Sequence, residues 1–242
     1  MKYVVLLIVF ILLQSCQVVE TIDIRADGSG EMTILQRRDE QSFMKMNPDA
    51  YLQEQGFEDK NLVFKDIMKL QVEVLSRMSV QEQLLYKKFE NTAIKIFQNS
   101  ETKEKYRRYQ SSFSDINLLP DLHKSYEYYD NIVHNYALSA EEHYSDLQFF
   151  YDGKTFRRKA SIISEVFYKK EMEQLAQYEA YLKGQTFIAD YVLKYRFPKP
   201  IKSVSNLNAK ISEDRKSLEI IFSIFEAKKH PEITNFEVVF KE

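Results

Sequence analysis

The hydrophobic pattern begins with an unbroken run. Tyr3 to Leu13 is eleven residues without a charge, led by Lys2 and closed by Gln14-Ser15-Cys16. A helix needs about twenty apolar residues to cross a bilayer, so a run this short behind a basic residue fits a cleaved secretory signal, residues 1–15. The pattern then turns to alternation. Val19-Thr21 through Ile24, and Met32-Thr33-Ile34, read as two strand arms, and Asp27-Gly28-Ser29-Gly30 between them supplies the glycines that hairpin turns demand.

From Phe43 to about Gln110 the spacing changes to three and four residues, with Ile67, Leu70, Val74 and Met78 on one helical face. Ser79 and Glu82 form a capping box that starts another helix, whose inward stripe is Leu85, Phe89, Ala93 and Ile96. Pro120 opens a further helix carrying Leu122, Tyr126, Tyr129, Val133 and Tyr136 on one side. A second hairpin is expected around Asp152-Gly153, then a long helix with Ile163, Val166, Phe167, Leu175, Tyr178 and Leu182 inward and Gly184 as its terminator. Strand-like runs close the chain at Phe187 to Phe197, Leu207 to Ile211, Ser217 to Phe225 and Phe236 to Phe240, with Pro198-Lys199-Pro200 forcing an extended connection. The pattern predicts an α+β fold: an antiparallel sheet from the N-terminal hairpin and the C-terminal strands, with a long helical insertion over about 43–184.

The only cysteine changes this picture. Leu13-Gln14-Ser15-Cys16 resembles the bacterial lipobox, in which a leucine and a small residue precede an invariant cysteine. The resemblance implies that Cys16 carries a diacylglycerol thioether, that the signal is removed and that the new amino terminus is acylated, typically with palmitate. Two or three acyl chains on one residue anchor nearly permanently, whereas one does not. The plainer reading is a buried thiol or an unpaired cysteine in a secreted chain. Either way no internal disulfide can form, and residues 16–242 must fold as a single α+β domain on their core alone. With 44% hydrophobic residues, five glycines, five prolines and a net charge of −2, neither disorder nor nucleic-acid binding is expected.

The stretches TIDIRADGSGEMTI and YVLKYRFPKPIKSVSNLNAKISEDRKSLEIIFSIFE are together similar to a set of uncharacterised Bacteroidetes-type envelope lipoproteins, and distantly similar to the LppM type of lipoprotein domain. The similarity covers roughly 16–36 and 187–242. It implies one sheet built from the first hairpin and the C-terminal strands, and an address in the cell envelope, with no chemistry attached. The residues after Cys16 lack a run of acids, which points to an outer-membrane protein facing the periplasm.

Catalytic chemistry is thin. His123, Glu127, Asp130 and His134 recur at one-turn spacing, as a metal site would require, with Glu141, Glu142 and His143 just beyond. The same residues also suit the solvated flank of an amphipathic helix. No nucleophile elbow, P-loop or dinucleotide motif occurs, so no cofactor and no enzymatic activity are expected. Arg157-Arg158-Lys159 is a basic cluster that could touch lipid headgroups, although charges on an outer hairpin arm are usually only solvated. Sixteen tyrosines and seventeen phenylalanines are present, against no tryptophan. Tyr126, Tyr129 and Tyr178 are the candidates to line an apolar pocket, and core filling explains them equally well. The expected function is a lipid-anchored envelope protein binding an apolar ligand or a protein partner; an outer-membrane assembly accessory and a metal-dependent hydrolase are the alternatives.

Overall fold

The computed structural model describes residues 16–46, 48–54, 56–134, 143–181 and 189–242. The expected signal peptide, Tyr136, Glu141, Glu142, Leu182, Gly184 and Phe187 lie outside the described residues. The alternating arms form β1 (Cys16–Ile24) and β2 (Gly30–Arg38), paired antiparallel from Cys16 with Arg38 to Ile24 with Gly30. Gly28 closes the turn at φ 84°, a conformation that penalises a side chain. Gly30 is needed for space, since a Cβ there would lie 2.0 Å from the Asp23 carbonyl oxygen.

Helices and strands then alternate: α1 (Glu40–Met46), α2 (Pro48–Gln53), β3 (Phe57–Val63), α3 (Phe64–Leu70), α4 (Val72–Ser76) and α5 (Val80–Lys87). The Ser79–Glu82 capping box opens α5, with the Glu82 amide donating to Ser79 Oγ at 3.3 Å. The expected helix does not continue to Ala93 and Ile96. Those residues belong to β4 (Thr92–Asn99), which is followed by β5 (Glu104–Phe113). Thr92, Ile94 and Ile96 are β-branched at period two, and pairing between β3 and β5 buries Ile94 to 1% exposure. Sheet burial thus overrides the four-residue spacing that the same segment also contains. The insertion is helical only in part.

Short 3-10 turns at Ile116–Leu118 and Leu122–Lys124 lead into α6 (Ser125–His134). Because a 3-10 turn takes three residues where an α-turn takes 3.6, the phase of the helix shifts. Ser125, Tyr128, Asn131 and Ile132 are buried; of the expected stripe Leu122 is buried, and Tyr126, Tyr129 and Val133 are only half-buried. The second hairpin is β6 (Ser145–Tyr151) and β7 (Thr155–Ile162) around Gly153 at φ 81°. In α7 (Glu165–Tyr181), Leu175 and Tyr178 are buried, whereas Ile163 before it and Val166 in its first turn are exposed.

The chain ends in β8 (Asp190–Arg196), β9 (Ile201–Val204), β10 (Lys210–Ile211), β11 (Ser217–Ser223), α8 (Ile224–Lys229) and β12 (Phe236–Phe240). One sheet runs β10-β11-β8-β1-β2-β5-β4-β3 and the other β6-β7-β12-β9. The first hairpin and most C-terminal strands share the large sheet, as expected; β9 and β12 join the second hairpin instead. Among the described residues every pairing is antiparallel except β1 with β8. The sheets meet through an aromatic layer in which the Phe156 ring lies 5.6 Å from Tyr195 and 5.2 Å from Phe197. Helices α3, α5 and α6 cover the rest of the large sheet through Phe64, Tyr86, Phe89 and Tyr128. Among the described residues no helix is long and apolar enough to cross a membrane.

Candidate functional site

The inward face of β1 carries Glu20 in line with Ile22 and Ile24, and all three are buried. An acid in that position requires a partner. Arg158 supplies it from β7, where alternation turns Phe156, Arg158 and Ala160 inward and leaves Arg157 and Lys159 outside. Arg158 Nε donates to Glu20 Oε1 at 3.2 Å, and Nη2 donates to Oε2 at 3.3 Å. The hydroxyls of Tyr195 and Tyr191 donate to the same two oxygens. Arg158 also donates from Nη2 to Tyr191 Oη at 2.6 Å and from Nη1 to the Thr234 carbonyl at 3.3 Å. His123 completes the cluster, its Nε2 lying 3.1 Å from both Glu20 Oε2 and the Tyr191 hydroxyl.

Burial by itself would raise the Glu20 pKa. The Arg158 charge and the contact with His123 outweigh it and hold the carboxyl well below the usual range. For His123 burial acts to lower the pKa, but the bond to Glu20 and the charge of Asp121 win and raise it. The cluster ties the large sheet (β1, β8) to the small one (β7) and to the turn holding Thr234. Each polar group in it is already committed.

Beside this ion pair lies a cavity of about 490 Å³, bounded by the start of α6, β6, β7 and α8. Val18, Leu147, Ala160, Ile224, Ala227 and Pro231 form its apolar wall. Its cations are compensated: Lys124 Nζ sits 2.9 Å from Asp146 Oδ1, and Lys228 Nζ 2.8 Å from Glu171 Oε1. Two groups on the wall are not. Among the described residues, Glu127 Oε2 and His143 Nε2 are buried without a hydrogen-bond partner. Burial pushes the Glu127 carboxyl up. Burial and the nearby Lys124 charge push the His143 imidazole down to about 4. Leaving buried polar atoms unpaired costs free energy, about 1–3 kcal/mol each. A cavity whose lining joins apolar side chains to paired charges suits an amphiphilic molecule.

The residues singled out from sequence scatter across this geometry. His123, Glu127, Asp130 and His134 do not converge. His123 precedes α6 and binds Glu20, Glu127 faces the cavity, and Asp130 pairs with His134 at 3.1 Å on the outer surface. Among the described residues no group of three His, Cys, Asp or Glu side chains is placed to hold a metal ion. Tyr126, Tyr129 and Tyr178 do not line this cavity: Tyr126 lies under the Arg107 guanidinium, its ring 6.1 Å from Tyr129, and Tyr178 stacks on Phe225. The basic cluster is split as well, since Arg158 is buried and Arg157 pairs with Glu237. Cys16 opens β1, opposite Arg38. Glu20 and Tyr191, missed from the sequence, were marked only by an acid and an aromatic alternating onto inward faces.

No family model and no curated protein matches the chain. Among solved structures, the folded domain of LppM from Mycobacterium tuberculosis, determined by NMR, is similar at 10% identity, covering 95% of this chain and 92% of that one, with a TM-score of 0.37. A likeness this weak carries no inference about ligand or activity.

Proposed function

We propose that this chain is a non-enzymatic envelope lipoprotein, anchored by acyl chains on Cys16, that holds an amphiphilic envelope molecule between its two sheets. The observation that carries the reading is the cavity of about 490 Å³, within the size range of ligand sites, whose lining sets apolar side chains beside the paired charges of Lys124, Asp146, Lys228 and Glu171. The apolar ligand anticipated from the tyrosines becomes one with a polar end, because charged side chains share the lining with the apolar ones. The lining reaches Val18, two residues from Cys16, together with Gln36 and Tyr191, its register partners on β2 and β8. A tethered domain meets membrane molecules at high effective concentration, so weak binding suffices. An outer-membrane position facing the periplasm belongs to the same proposal. The cavity-lining imidazole paired with a carboxylate, His123, is occupied by Glu20 and Tyr191, which supports binding over turnover.

The test has two parts. Cys16→Ser is expected to abolish lipid labelling of the protein; a variant still labelled removes the anchor. The purified domain is expected to take up cis-parinaric acid saturably, and Ala227→Phe, which fills the cavity, to abolish the uptake. Unchanged uptake in that variant removes the cavity as the binding site. The accessory role retains one observation in its favour: Leu70, Val72, Val80 and Leu84 are each more than half exposed on α3 to α5.

A further inference from the structure

The anchor and the sheet register together say which surface meets the membrane. β1 begins at Cys16 itself, which forms the first rung with Arg38, so no tether separates an acylated Cys16 from the folded sheet. The acyl chains must enter the bilayer within one residue of the strand. Whatever else lies at that end of the sheet is held near the headgroups.

The register shows what lies there. Gln17 pairs with Arg37, Arg37 with Tyr106, Tyr106 with Phe97 and Phe97 with Asp59, a row crossing from β1 through β2, β5 and β4 to β3. Four strand spacings put β3 about 19 Å from β1. Phe57 lies two residues beyond this row in the direction of Cys16, opposite Asn99, so it extends past the row by about 7 Å. It is 70% exposed; Leu52, near the end of α2, is 64% exposed, and Glu54 two residues on binds Arg38, the rung partner of Cys16, at 2.8 Å. Phe57 is not loose. Its ring packs edge-on against Phe97 at 6.0 Å, and Phe97 stacks on Tyr106 at 5.1 Å, an aromatic shelf leading to the rim. Aromatic rings favour the membrane–water interface, where an apolar body and a polar neighbourhood are both available.

We propose that the Cys16 end of the large sheet is a membrane-contacting rim in which Phe57 and Leu52 enter the headgroup layer beside the acylated cysteine. The proposal rests on the anchored reading above. Exposed charges on the adjoining strand ends and turn carry no cationic excess, Arg37 and Lys103 against Asp39, Glu101 and Glu104, so insertion of apolar side chains drives the contact and anionic lipid is not required. The geometry also sets the cavity's reach, since Val18 and Gln36 lie on the same end of β1 and β2.

The chain contains no tryptophan, so one introduced indole is a clean reporter. Leu118 is the matched control: it is 73% exposed, and the amide of Ile116 beside it donates to the Gly28 carbonyl at the opposite end of the first hairpin, about 26 Å from Cys16 along β1. The full chain, processed and acylated in cells, is reconstituted into phosphatidylcholine vesicles with or without brominated acyl chains. Phe57→Trp is expected to show blue-shifted emission and at least twofold quenching by the brominated lipid, with neither effect in Leu118→Trp. An unquenched Phe57→Trp protein whose mass spectrum shows acylated Cys16 overturns the rim and leaves the anchor standing. Quenching at both positions also overturns the rim, because the domain then has no fixed orientation. A mass spectrum without acyl groups on Cys16 overturns the anchored reading, and the rim with it.

Discussion

Glu20 and Glu127 are both carboxylates inside the fold, each within the influence of His123, and the protein treats them in opposite ways. Around Glu20 every donor is supplied: two contacts from Arg158, two tyrosine hydroxyls and the ring of His123. Around Glu127 one oxygen is buried without a partner, as is Nε2 of His143, and both residues line the same cavity. Burial acts on both carboxyls in the same direction. The partners decide the outcome, so that Glu20 is held ionised while Glu127 is driven toward its neutral form. A completed polar cluster fixes a fold and has nothing left to offer a ligand; an incomplete one weakens the fold and keeps that capacity.

The strongest way to break this comparison is to remove one half of the completed pair. Arg158→Met strands the Glu20 carboxylate in an apolar interior and is expected to cost about 3–5 kcal/mol in urea unfolding at pH 7. Glu20→Leu combined with Arg158→Met is expected to recover most of that loss, since two apolar side chains need no desolvation to be repaid. A single variant costing under about 1 kcal/mol would show that the pair does not clamp the sheets.

This clamp also marks the boundary of what the sequence made legible. Features written in neighbouring residues were readable: the glycine turns at Gly28 and Gly153, the Ser79 capping box and the alternating runs that became β8, β11 and β12. Glu20 and Arg158 are 138 positions apart, and nothing local joins them. Alternation could still have flagged each, as a lone acid in line with Ile22 and Ile24 and a lone base between Phe156 and Ala160, two unlike charges on faces that must both be buried. Segment 92–99 satisfied two periods at once, and only the presence of strands on both sides decides between them. The cavity was beyond the sequence altogether, because it is space left where α6, α8 and the hairpin β6–β7 do not close on one another.

A smaller effect separates the two regions by pH. The folded-state pKa of His143 is depressed to about 4, so the folded protein prefers the neutral ring. Its contribution is complete above the unfolded value of about 6.5 and is lost as pH falls from there toward 4, on the order of 3 kcal/mol. Glu20 has a lowered pKa as well, but its loss begins only below about 4.5, where the unfolded carboxyl starts to take a proton. His143→Phe is therefore expected to flatten the stability profile between pH 6.5 and 4 and leave the steeper fall below it intact. Single substitution is needed for this reading, because Asp121 and Glu127 have raised pKa values and act with the opposite sign in the same window. A profile that His143→Phe leaves unchanged would place that ring in contact with water.

The smallest expected effect is the most telling about the cavity wall. Glu127 has a raised pKa, so ionising it in the folded state is penalised, and wild-type stability is lost as pH rises from about 4.5 through the folded value. Glu127→Gln keeps the shape, carries no charge and never suffers that loss. It is expected to stabilise the protein by up to about 1 kcal/mol at pH 7, with the gain shrinking toward zero near pH 4, where the native carboxyl is itself protonated. Few substitutions of a half-buried polar residue stabilise a fold; one that does marks a residue kept for something other than folding. The urea midpoint at the two pH values measures this directly. A loss of stability at pH 7 would mean that the Glu127 carboxylate is satisfied in solution, and the contrast with Glu20 would then disappear.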